Sequence, residues 1–148
     1  MKRFVRCSLL MAMLLLVCPG VCFSEQYLCV ADMMAGSIYE ESTKEWMSAE
    51  FKAGGRKWII SPSKDGRNFY DLKKMGDSVA LAGCKEDFSS HGFLFCEGVG
   101  FYFGFNKHNG RYTRSSVFGY YNVVPKKNDM TDEESDTPVI EIGKCSSF

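Results

Sequence analysis

The chain has 148 residues, of which 45% are hydrophobic, 14% aromatic and 24% charged, with 18 basic side chains against 18 acidic ones. That is the make-up of one folded domain, which argues against collagen-like, coiled-coil and wholly disordered architectures. The balanced charge, without a dense basic face, also argues against nucleic-acid binding, which needs clustered Lys and Arg against phosphate.

At the amino terminus, Lys2, Arg3 and Arg6 precede the apolar run Leu9 to Val17, then Pro19-Gly20 and Ser24. This order predicts a signal peptide over residues 1–24 and a single exported domain over residues 25–148, periplasmic or secreted. The apolar run is shorter than the roughly 20 residues that span a bilayer, so no transmembrane anchor is expected once the signal is cleaved. Cysteine usage agrees with export. Cys7, Cys18 and Cys22 leave with the signal, and the even set Cys29, Cys84, Cys96 and Cys145 remains. Of the three possible connectivities we favour Cys84–Cys96, which flank a short polar loop, with Cys29–Cys145, which tie the two ends. The competing reading of Cys84, His91 and Cys96 as zinc ligands lacks a C-x-x-C pair, and no metal site is assigned.

The rest of the chain alternates short apolar runs with Gly, Asn, Asp and Pro, which predicts an all-β domain: an antiparallel meander forming a small barrel or sandwich. Strands are expected at Gln26–Ala31, Ser37–Glu40, Glu45–Phe51, Lys57–Ser61, Asn68–Leu72, Ser78–Leu81, Phe93–Glu97, Gly100–Asn106, Arg111–Ser116, Phe118–Val124 and Val139–Ile142. Lys64-Asp65-Gly66-Arg67 reads as a tight hairpin turn. The segment 42–53 is ambiguous. Ser42-Thr43-Lys44-Glu45 fits a helix capping box and Gly54-Gly55 a helix stop, which would make a short helix. Against this, Tyr39 to Trp46 echoes Phe105 to Tyr112, with aromatics seven residues apart in both, so both stretches can instead be hairpins carrying an aromatic on each side of a polar loop. Pro125 to Pro138, with five acidic residues, reads as a surface loop or as an acidic arm toward a basic partner.

Ten of the 19 aromatics after residue 24 fall between Phe93 and Tyr121. The pleat puts Phe101, Phe103 and Phe105 on one face, as core, whereas Tyr102, Tyr112, Tyr120 and Tyr121 are the candidates for an exposed binding surface. Gly98, Gly100 and Gly104 lack the spacing and following Lys-Ser or Lys-Thr of a phosphate loop, so they read as strand glycines. An enzymatic reading, a small secreted phosphodiesterase, would use His108 with Glu97 and Arg111 or Arg114. No nucleophile or cofactor motif accompanies these residues, and no cofactor is expected.

The start Tyr27-Leu28-Cys29-Val30-Ala31-Asp32, the Tyr39 to Trp46 stretch, Cys96-Glu97-Gly98 with Phe105-Asn106, and the end Pro138-Val139-Ile140-Glu141-Ile142-Gly143-Lys144-Cys145-Ser146 resemble small exported bacterial proteins of unknown function. That resemblance implies no catalytic residue or ligand. The Y-x-C start and the late cysteine also look like the periplasmic inhibitors of C-type lysozyme, small disulfide-closed β-barrels, although their Ser-Gly-x-x-Tyr loop is missing here. The expectation is therefore a non-enzymatic binding or envelope-associated protein with an unidentified protein or envelope ligand, and the alternative is an inhibitor of a glycosidase.

Overall fold

A computed structural model of the chain describes residues 25–117, Tyr120 and residues 137–148. The signal segment 1–24, Tyr121, most of the expected strand 118–124 and most of the acidic loop 125–138 lie outside the described residues.

The described residues form nine antiparallel strands: β1 (Tyr27–Glu40), β2 (Glu45–Phe51), β3 (Lys57–Pro62), β4 (Tyr70–Lys74), β5 (Ala82–Cys84), β6 (Phe93–Gly98), β7 (Phe101–Asn106), β8 (Arg111–Ser116) and β9 (Val139–Ser147). Neighbouring strands pair in the order β1-β3-β4-β5-β6-β7-β8-β9, and β9 pairs back onto β1, so eight strands close a barrel while β2 lies outside on β1. The barrel, not the sandwich, is the architecture. Closure removes the free edges that an open meander would leave.

β1 has two partners along the same edge. Its Tyr27–Val30 pairs with β3, and its Met34–Glu40 pairs with β2. On its other edge it pairs with β9 from Tyr27 to Gly36, with a register shift between Ala31 and Met33. This bulge absorbs one residue and restores the inward alternation, so Met34 points into the barrel opposite Glu141.

Both disulfides form as expected: Cys29–Cys145 across the β1–β9 seam and Cys84–Cys96 between β5 and β6. With these sulfurs bonded to each other, Cys84 and Cys96 are not available as metal ligands. The period of two sends Trp58, Ile60, Leu72, Leu94, Phe101, Phe103, Phe105 and Tyr112 inward with the cystines, each large side chain contributing roughly 1.5–3 kcal/mol by burial. Gly143 faces Tyr112 across the β8–β9 pair, and a Cβ there would run into the Tyr112 ring and the Val30 carbonyl.

The barrel's two ends differ. At the end where β3 meets β4, Phe88 from the β5–β6 loop packs on Tyr27, Tyr70 and Phe105, with ring centroids 5.4–5.9 Å apart, and Lys107 Nζ lies 4.7 Å above its ring. An aromatic plug therefore closes that end. The opposite end is ringed by the starts of β3 and β9, the end of β8 and the β1–β2 ribbon.

Several sequence expectations are corrected. No helix forms over 42–53: Glu45–Phe51 is a strand, and residues 41–44 turn the chain. The hairpin reading holds in detail. Tyr39 pairs with Trp46 and Phe105 with Tyr112. Lys44 and Gly110 occupy the same place in their turns, at φ 59° and 66°, and their amides donate to the carbonyls of Glu40 and Asn106 at 2.8 and 2.9 Å. Ser42 serves the turn by donating to Glu40 Oε1 from its amide and hydroxyl, and does not cap a helix. Residues 78–81 are loop, because Val79 and Leu81 find no partner strand and stay exposed, and pairing starts at Ala82. Asp65-Gly66 sits within a longer loop between Pro62 and Tyr70. Only Gly66 takes a positive φ, 70°, while the Asp65 carboxylate accepts from Ser63 Oγ and from the amide and Nε of Arg67. Among the described residues no helix is long and apolar enough to cross a membrane.

Candidate functional site

The chemistry collects at the unplugged end. Alternation along β9 turns Val139, Glu141, Gly143 and Cys145 inward, and alternation along β8 turns Tyr112, Arg114 and Ser116 inward. Register then sets Arg114 directly across from Glu141, and Ser116 across from Val139.

Glu141 is fully buried, 0% exposed, in an interior of otherwise hydrophobic side chains. A carboxylate in such surroundings requires hydrogen-bond donors. Trp58 Nε1 and the Tyr112 hydroxyl both donate to its Oε1, at 2.6 and 2.7 Å. Its Oε2 has no hydrogen-bond partner among the described residues and faces Arg56 Nη1 at 3.9 Å. Burial, reinforced by the hydrogen bond to Glu141 and its charge, pushes the Tyr112 phenol well above its usual range, so it remains a donor.

Arg114 does not pair with Glu141 in hydrogen-bond contact. Its guanidinium lies 4.6 Å from the Phe101 ring centroid and 4.9 Å from that of Trp58, an arrangement in which the ring faces attract the cation. Its Nε is buried without a hydrogen-bond partner among the described residues. Burial lowers the pKa of the guanidinium, the Glu141 charge opposes that shift, and the Arg56 charge adds to it. An arginine remains cationic under such shifts.

Above this layer opens a cavity of about 430 Å3, lined by Met34, Phe51, Lys52, Arg56, Arg114, Ser116, Thr137 and Val139. Phe51 lies opposite Met34 in the β1–β2 pair, so the ribbon outside the barrel supplies one wall of its mouth. Lys52 and Arg56 follow from the turn that joins β2 to β3. Among the described residues the cavity thus has three cations, two hydroxyls and an apolar flank, with one carboxylate beneath. Its floor is closed by the Trp58–Glu141–Tyr112 layer.

Among the described residues, Tyr102, Tyr112 and Tyr120 do not assemble into the expected tyrosine surface. Tyr112 is inside, 2% exposed, because it takes the inward parity of β8 and its hydroxyl serves Glu141. Tyr102 is 57% exposed on the outer wall of β7, and Tyr120, 64% exposed, packs against Trp46 with ring centroids 5.3 Å apart. The catalytic combination considered above is also not brought together. His108 in the β7–β8 turn and Arg111 at the start of β8 lie near the plugged end, whereas Glu97 faces outward near the opposite end of β6 and Arg114 faces inward toward that end. His91 lies in the β5–β6 loop with Ser90 Oγ 3.4 Å from its Nδ1. Among the described residues no group of three or more His, Cys, Asp or Glu is placed to hold a metal ion.

The sequence reading missed Glu141, Arg56 and Lys52. A signal for Glu141 was present: a strand whose Cys145 points into a disulfide must also turn Glu141, four residues earlier, to the same face. Nothing local marked Lys52 and Arg56, since the β2–β3 turn reaches the mouth only because β2 is a strand and not a helix. Compared with known protein families, characterised proteins and solved structures, the chain matches none.

Proposed function

We propose that this is an exported, disulfide-locked binding protein that takes a small anionic group, a carboxylate or a phosphate, in the mouth of its barrel. The observation that carries the proposal is the convergence of Lys52, Arg56 and Arg114 on one cavity of about 430 Å3, a size within the range of small-ligand sites. Among the described residues Arg114 is held by aromatic faces and not by a hydrogen-bonded carboxylate, which leaves its charge and its donors preorganised for an incoming anion. Two disulfides fit folding in an oxidising compartment, and the basic and apolar order of residues 1–24 supports export to the periplasm or the medium.

The test is a titration of isotopically labelled, oxidised protein with sodium phosphate at constant ionic strength, followed by NMR. Saturable shifts of the Arg114 Nε–H and of the amides of Arg56, Ser116 and Val139 are expected, weakened in Lys52→Gln and lost in Arg114→Gln. Lys52 is exposed, so its variant tests the site even if Arg114→Gln perturbs the fold. Shifts that never saturate, or that are indifferent to Lys52→Gln, refute the proposal.

A further inference from the structure

The mouth is not an evenly cationic cup. Arg114 stands on β8, and Lys52 and Arg56 on the turn that joins β2 to β3, whereas Met34, Phe51 and Val139 form an apolar flank along the β1–β2 ribbon and the start of β9. A fully hydrated anion such as inorganic phosphate would satisfy the cations and leave this flank facing water. The space below is unavailable, because Trp58, Phe103 and Tyr112 fill the barrel interior and Glu141 fills the gap between them. A ligand that uses both halves must therefore be short and lie across the mouth beneath Phe51, its charged end toward Arg114 and Arg56.

Resting on the anion reading above, we infer that the natural ligand is a small free amphipathic anion: a carboxylate or phosphate head on Lys52, Arg56 and Arg114, with a short hydrocarbon or aromatic tail against Met34, Phe51 and Val139. The two hydroxyl side chains at the rim, Ser116 and Thr137, add hydrogen-bonding capacity toward the head group. Burial of each tail methylene in such a flank adds roughly fourfold to affinity until the flank is covered.

Calorimetric titration of the oxidised protein with acetate, butyrate, hexanoate and octanoate, with 1-octanol as the uncharged control, tests this. The expected result is an affinity that climbs roughly fourfold per methylene over the first members, with octanoate at least tenfold tighter than octanol. Phe51→Ala should flatten the chain-length gain. If phosphate saturates the site but octanoate binds no better than acetate, the amphiphile assignment fails and the anion site stands. If octanol matches octanoate, the cations contribute nothing and the assignment fails. If neither phosphate nor any carboxylate saturates, both readings fall. Sedimentation with phosphatidylglycerol vesicles, lost in Arg114→Gln, would make a bilayer headgroup the source and overturn the free-ligand assignment.

Discussion

Glu141 offers the sharpest test of the interior. Replacing it with Gln keeps the shape and an oxygen for Trp58 Nε1 and Tyr112, but converts two charge-assisted hydrogen bonds, 2.6 and 2.7 Å long, into neutral ones. Hydrogen bonds to charged groups contribute about 1.5–3 kcal/mol and neutral ones about 0.5–1.5, so Glu141→Gln should destabilise by about 2 kcal/mol. Glu141→Leu removes the acceptor altogether. Two buried donors are then stranded, each at a penalty of about 1–3 kcal/mol, so a loss of about 4 kcal/mol is expected. Adding Tyr112→Phe to Glu141→Leu removes one stranded donor and should return about 1–2 kcal/mol. Guanidinium unfolding, with Trp fluorescence as the signal and a check that the slope with denaturant is unchanged, measures all three. The opposite order, with Leu as stable as wild type, would show that burying the carboxylate costs as much as its hydrogen bonds return, as happens when some buried ion pairs are replaced by apolar groups. The network would then not be what holds the mouth in shape.

Two other perturbations probe the frame. The cystines close loops of unequal length, 116 and 12 residues of separation, so chain entropy predicts that Cys29→Ala/Cys145→Ala costs nearly 5 kcal/mol and Cys84→Ala/Cys96→Ala about 3; equal losses in guanidinium unfolding would contradict that account. In the β3–β4 loop, the hydrogen bonds from Arg67, then that from Ser63, hold the Asp65 carboxyl down at about 2 from its ordinary 3.8. A carboxylate depressed in the folded state stabilises above its unfolded pKa and loses that contribution as pH falls through its folded one. Between pH 4 and 2 wild type should therefore lose stability that Asp65→Asn does not, and parallel stability–pH curves for the two proteins would refute the assignment.

What was legible in the sequence was local. Alternation in Phe101 to Asn106 places three phenylalanines inside correctly, and the even cysteine set yields the right pairs because Cys84 and Cys96 flank one short loop and Cys29 and Cys145 tie the two ends. The seven-residue spacing of aromatics in Tyr39–Trp46 and Phe105–Tyr112 reports two turns of one type, down to the left-handed residue at Lys44 and Gly110. Tyr112 was misplaced although its position opposite Phe105, already read as core, gives it the same inward face. Val79 and Leu81 mimic a strand, but a strand exists only if a partner does. The cationic mouth was invisible for a stronger reason: its residues come from four separate stretches, and only the closure of β9 onto β1 brings them together.

The two matching hairpins also explain where the site comes from. β8 finds β9 beside it, so the Phe105–Tyr112 hairpin is built into the wall and its aromatics fill the core. β1 runs for 14 residues but pairs with β9 only as far as Gly36 and with β3 only as far as Val30. The remainder overshoots the barrel, and β2 satisfies the edge that β3 leaves open. That overshoot puts Phe51 over the mouth and brings Lys52 and Arg56 back to its rim, where the bulge at Ala31–Met33 has already aligned Met34 with Glu141. A β1 as short as its neighbours would still close the barrel, but the mouth would lose its apolar wall and the turn that returns two of its three cations. The cationic mouth is thus a consequence of strand length mismatch, and the disulfide across the β1–β9 seam fixes the register on which that mismatch depends.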